Sequence, residues 1–322
     1  MSKIKNTDYL CLTGMLRAKE AKMLSREKLE RVMTEPTFTD AARALMDCGY
    51  ADMSGMDTKQ INAALEQHRD AAIEEVAQLV PDQAVVDLFR LKYEYHNAKT
   101  LVKSAGEAQD LLSASGRSSV SALMESYLAP EASELPAVLR DAMEEAKSTL
   151  ARTGNPQLAD FILDKAYFAE LSQVAKESKD AFIQGYVQRL IDSANLRVAV
   201  RVLKMGKQEE LLSHALVDGG SVSAEDIRAA CTSREALRDL YAGTDFAAAA
   251  AEEGTTAFER RCDNVVNDYL ASSQIAAFGA DVVIGYLAAV ENEVMAVRII
   301  LTGKLMGIDS KLLRERLRDT YV

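Results

Sequence analysis

Tryptophan is missing from this 322-residue chain, and histidine occurs only at His68, His96 and His214. None of the three stands in HExxH or ExxH spacing, so zincin and di-iron bundle sites lack their ligands. The four cysteines, Cys11, Cys48, Cys231 and Cys262, are far apart and form no CxxC pair. That spacing excludes a structural zinc or thioredoxin-type redox site, and the four read as reduced, buried, small hydrophobes. No GxxxxGK[ST], GxGxxG or GxSxG run occurs, so phosphate-cradling loops and a nucleophile elbow are absent. Asp-rich metal motifs are absent too, and we expect no catalytic residue, no cofactor and no metal. The longest apolar stretch, Ile275 to Val290, is interrupted by Asp281 and is shorter than the ~20 residues that span a bilayer. The N-terminus lacks a continuous apolar segment and a small-residue cleavage site, which argues against a secretory signal. Lys and Arg number 38 against 49 Asp and Glu, a net charge of −11 that repels nucleic-acid phosphates and anionic lipid. The chain reads as cytoplasmic, with any membrane association made through a partner.

Proline is scarce: Pro36, Pro81, Pro130, Pro136 and Pro156, then none to the C-terminus. Since proline breaks helices, its scarcity permits long ones. Apolar residues recur at three and four, as in Val85, Leu88, Phe89 and Tyr95, and no segment sustains period two. The expected fold is all-α. Helix starts are legible from their caps: Ser25 with a Leu24/Leu29 staple, Thr37 with Asp40, and Asp57 with Gln60 and a Met56/Ile61 staple. Pro81 reads as the first residue of one helix, and Asn155–Pro156 as cap and first residue of another.

These boundaries expose a repeat. SVSA occurs at Ser119–Ala122 and at Ser221–Ala224, each preceded by LLS, at Leu111–Ser113 and Leu211–Ser213. Aligning Ser25, Ser121 and Ser223 gives steps of 96 and 102 residues. A second marker keeps that step: Glu94 with Lys99, Asp192 with Arg197, and Glu293 with Arg298, each an acid five residues before a base. Asn97 and Asn195 match between the first two copies. Two markers at one period predict a threefold internal repeat. Each unit then holds two short helices, a medium helix and a long helix, with divisions at 1–106, 107–207 and 208–322. The helix near Asp8–Met23 and the tail from Ser310 look like a split fragment that can close three modules into a ring. Residues five apart on a helix lie ~140° apart, so acid and base do not form a same-face pair. Either they join neighbouring modules or they contact a partner. If the acids lined an inner wall, they would suit a basic partner.

The segment LRAKEAKMLSREKLERVM, the later DCGYADM, FRLKYEYHNAKTLVK, LIDSANLRVAVRVLKMG and the closing ENEVMAVRIILTGKLMGIDSKLLRERL together resemble the C subunit of bacterial and archaeal V/A-type ATPases, whose eukaryotic relative is the d subunit. The resemblance covers essentially the whole chain and is weakest between Ser104 and Thr153. It implies three helical modules about a pseudo-threefold axis in a funnel. One end would sit on the membrane proteolipid ring, and the mouth would receive the central shaft subunits D and F. It also implies a torque-carrying rotor subunit with no active site. The third copy departs from the pattern, with Ala296 in the place of Asn97 and Asn195. A helical-repeat scaffold that collects peptides or proteins in a groove is the alternative.

Overall fold

The computed structural model describes residues 4–206 and 209–322 and contains helices but no strand among them. In chain order the α-helices are α1 (Leu10–Glu20), α2 (Arg26–Thr34), α3 (Phe38–Met46), α4 (Thr58–Leu79), α5 (Gln83–Lys103), α6 (Val120–Leu128), α7 (Ala137–Thr153) and α8 (Pro156–Ser178). They continue as α9 (Ala181–Met205), α10 (Glu209–Ala215), α11 (Ala224–Ala230), α12 (Arg234–Tyr241), α13 (Ala247–Ala250), α14 (Thr255–Ala271), α15 (Ala280–Leu305) and α16 (Ser310–Arg316). The all-α reading holds; a helix pair followed by two longer helices begins at α2 and at α6, and the run from α11 differs in carrying the extra four-residue α13 before α14 and α15.

Most caps lie where the sequence puts them. Ser25 accepts from Lys28 N–H, Thr37 from Asp40 N–H, and Asp57 forms a reciprocal box with Gln60. Three boundaries differ. Pro81 precedes α5, because Asp82 takes the capping place and accepts from Ala84 N–H. Ser119, two residues before Ser121, caps α6 by accepting from Ala122 N–H. The second helix of the middle copy, α7, is 17 residues rather than short, because Leu139, Ala142, Met143 and Ala146 sustain an apolar face.

The chain divides into two compact units. One consists of the described part of Met1–Val86 with Glu252–Val322; the other is Asp87–Ala251. In the first, α15 is the buried axis, and α2, α3 and α4 give Leu29, Met33, Leu45, Ile61 and Leu65 to a core shared with Val297, Ile300 and Leu301. The early and late parts of the chain therefore fold together. α16 lies so close to α15 that a Cβ on Gly303 would stand 2.3 Å from Leu313 Cδ2. After α16 the tail runs extended and is held at several points. Arg318 Nε donates to Asp263 (2.8 Å), Asp319 N–H to Asn264 Oδ1 (3.1 Å), and the Tyr321 hydroxyl meets Ser273 (2.9 Å) and Glu20 (3.1 Å). α16 matches α10 in length, seven residues each, and both are followed by a buried leucine, Leu317 and Leu216.

In the second unit, α7 and α8 form a hairpin closed by Gly154 at φ 63°, a conformation that favours glycine. α8 turns into α9 through Lys179, also left-handed at φ 55°, and Asp180 then caps α9 by accepting from Phe182 and Ile183 N–H. Of the four cysteines, Cys231 and Cys262 are buried as expected, but Cys11 is exposed and Cys48 half-buried. Cys11 belongs to the short, weakly amphipathic α1, where only one face is covered.

Candidate interaction site: three carboxylates that hold helix lead-ins

Glu94 sits in the middle of α5 with no exposed surface. Its Oε1 accepts from the backbone N–H of Ser118 at 3.0 Å, and its Oε2 accepts from Arg117 Nε at 2.7 Å. Ser118 is the residue before the α6 cap, so a long helix here holds the start of the following pair. One turn on, Asn97 is also fully buried and clasps one residue at both backbone groups. Ser113 N–H donates to Asn97 Oδ1 and Asn97 Nδ2 donates to Ser113 C=O, both at 2.8 Å. A buried carboxylate or amide is tolerated only when hydrogen-bonded, and here each is.

α9 repeats the arrangement. Asp192, 2% exposed, accepts from Ser221 N–H at 2.8 Å and from Val222 N–H at 3.4 Å, just before the cap Ser223. Asn195 clasps Val217 by the same two bonds, 2.9 and 2.8 Å. Ser113 and Val217 each stand six residues before the capping serine. Aspartate is one methylene shorter than glutamate, so the loop must come closer. A Cβ on Gly220 would lie 2.3 Å from Asp192 Oδ1, and only glycine fits there.

The third copy lies within the first unit. Glu293 on α15 accepts from Leu24 N–H at 2.5 Å and from the Tyr50 hydroxyl at 2.7 Å. Leu24 again precedes a capping serine, Ser25. Six residues before Ser25 is Lys19, which belongs to α1, where helical hydrogen bonds already satisfy the backbone. No amide is needed, which accounts for Ala296. Around Tyr50, His68 stacks at 4.4 Å between ring centroids. Burial holds the His68 imidazole below its usual pKa, with Glu293 opposing that shift; burial, reinforced by Glu293, raises the Tyr50 phenol far above its own.

The basic members of the pairs turn elsewhere. Lys99 meets Asp164 on α8, and Arg298 approaches Glu66 on α4 at 3.9 Å. Arg197 is half-buried on α9. The ion pairs of Lys99 and Arg298 each reach the medium helix that follows the pair held by the neighbouring acid.

Residues 12–316 match the family model described as ATP synthase (C/AC39) subunit. The chain belongs to this family. It is similar to the C subunit of the V-type sodium ATPase of Enterococcus hirae, 20% identical over 98% of this chain and 99% of the relative. The C subunit of the A-type ATP synthase of Methanocaldococcus jannaschii is 25% identical over 96% of this chain and 86% of its own length. The counterpart in Pyrococcus horikoshii is 21% identical, covering 98% and 90%. Within the ATP synthase family this is a structural rather than a catalytic subunit. Among the described residues no helix is long and apolar enough to cross a membrane.

For this family member the expectation of an acidic inner wall needs correction. Glu94 and Asp192 are turned into the protein, where backbone N–H groups and, for Glu94, Arg117 take up their oxygens, and they offer no charge to a partner. Arg117, Glu170, Tyr50 and Gly220 escaped the sequence reading. Arg117 bridges Glu94 to Glu170 (Nη1–Oε1 2.7 Å), which also accepts from the Tyr95 hydroxyl at 2.9 Å. One available signal was glycine at the same offset, Gly116 and Gly220, three residues before each cap.

Proposed function

We propose that this chain is the non-catalytic socket of a V/A-type ATPase rotor. It would be seated between the membrane proteolipid ring and the central shaft subunits D and F, peripheral to the membrane on its cytoplasmic side. It carries torque between the soluble, ATP-handling head and the ring, and the ring sets whether proton or sodium is moved. The three modules, 1–106, 107–207 and 208–322, would stand about a pseudo-threefold axis and form a funnel around the shaft tip.

The observation that supports this reading is the recurring carboxylate on α5, α9 and α15, each holding the lead-in to a helix pair. Torque transmission needs an element that does not stretch. Charge-assisted hydrogen bonds between long helices and the start of a helix pair, buried or half-buried, supply stiffness at each joint. An open-ended stack of repeats would leave its last long helix with no lead-in to hold, whereas Glu293 holds Leu24. The test is purification of a tagged copy from native membranes in mild detergent, followed by mass spectrometry. Recovery of a proteolipid and the shaft subunits in fixed ratio is the expected result. A lone chain, with the ATPase intact in other fractions, would sink the proposal.

A further inference from the structure

We infer that the groove between α8 and α9 is a docking site for an acidic helix of a partner protein, one with small residues on its contact face. The groove encloses about 810 Å³, within the range of binding pockets. Its α8 wall is Lys165, Ala169, Ser172 and Lys176, one stripe of that helix. The α9 wall is Ala181, Gln184, Gly185, Val187 and Gln188. The larger apolar residues at the groove, Val187, Leu216 and Val217, are all buried, which leaves mainly small and polar side chains at its open surface.

Shape and charge select the occupant. Lys165 and Lys176 are eleven residues apart on one helix, so they stand about 16 Å apart, the length of three helical turns. The floor of Ala169, Ser172 and Gly185 lets another backbone approach closely. The Ser172 hydroxyl is buried and has no hydrogen-bond partner among the described residues. Lys165 Nζ donates to Ser213 C=O at 2.9 Å and has further protons to give. Gln184 Nε2 reaches Ala175 C=O at 3.4 Å. Among the described residues the one acid on the lip is Asp218, on the loop side, where it repels a carboxylate and so fixes which face of the incoming helix carries its charge. On a chain of net charge −11, two lysines bracketing an unfilled groove set it apart from the surface around it. A helix with carboxylates about three turns apart and Ala, Gly or Ser between them satisfies both ends and the floor. The groove can take such a helix whichever surface meets the shaft or the ring.

The experiment places a benzophenone photo-crosslinker at Gln188 of the full chain in native membranes and maps the adduct by mass spectrometry. The expected adduct lies in an acidic helical stretch of another protein. Lys165→Glu with Lys176→Glu should lower its yield at least about tenfold, and raised salt should lower it too. Arg152→Glu on α7, away from the groove, should leave it unchanged. Circular dichroism of each variant confirms that it is folded. No adduct, an adduct to a neutral or basic stretch or to a second copy of this chain, or a yield indifferent to the lysine reversal would each overturn the inference. Recovery of ring and shaft subunits without a groove adduct would overturn it while leaving the rotor reading in place.

Discussion

Glu94, Asp192 and Glu293 hold equivalent places on three long helices, but their surroundings make them chemically distinct. Glu94 shares its oxygens between a backbone N–H and Arg117; Asp192 serves backbone alone; Glu293 serves a backbone N–H and a phenol. The third site therefore contains a titrating neighbour, since His68 stacks on that phenol. Sharing a cavity with the imidazole are Glu293 from α15, Lys19 and Lys22 from the α1 end, Cys48 beyond α3 and Glu75 from α4. Burial, the larger effect, disfavours its charged form and Glu293 favours it; the net result is a folded pKa below the ordinary 6.5. The unfolded chain consequently takes up this proton first as pH falls. Stability from this residue is full above about 6.5 and declines as the pH drops below that value. His68→Phe, which keeps the stacked ring, should lose less stability than the natural chain between pH 7.5 and 5.5. Denaturant midpoints at the two pH values measure the difference, and equal losses would refute it.

At the scale of elements, an asparagine clasp ties an irregular lead-in to a helix only where that lead-in has free backbone groups. Asn195→Ala strands the N–H and C=O of Val217 in a buried position. Two unsatisfied backbone groups cost about 2–6 kcal/mol together. Urea unfolding should show that loss, while Ala296→Gly, with no clasp to lose, should fall by about 1 kcal/mol, its helix-propensity cost. The recurrence of Glu94, Asn97, Asp192, Asn195 and Glu293 was legible in the sequence, as were the helical class and most caps. Their direction was not. Five-residue spacing separates an acid from a base around a helix but does not say which side faces inward. The groups they hold belong to the backbone, which leaves no side-chain signature. Boundaries failed where two nearby residues could each start a helix: a local bond from Ala84 N–H to the Asp82 carboxylate decided at Pro81, and the tertiary bond from Ser118 N–H to Glu94 favoured Ser119 over Ser121.

For the whole molecule, the likeness of α16 to α10 carries a further consequence. The segment Leu216–Val222 joins α10 to the next pair without a break, whereas the counterpart after α16 is assembled from the tail after Leu317 and the residues before Ser25. Asn6 lies 3.8 Å from where a Cβ of Gly279 would be, and the Tyr321 hydroxyl 2.8 Å from one on Gly285. Six residues separate those glycines, about 9 Å of helix rise. A Gly/Ser linker of about eight residues therefore bridges Val322 to Ile4 comfortably. The chain can then be reopened between Asp218 and Gly219, both exposed, leaving Val217 with Asn195 and Ser221 with Asp192. Such a circular permutant should fold with the same helicity and a single cooperative unfolding transition. A molten or aggregated product would mean that the two joints, each held by a carboxylate on a long helix, are not interchangeable. If it folds, the ribosome could begin this protein at the Asp218–Gly219 joint as readily as where it begins now.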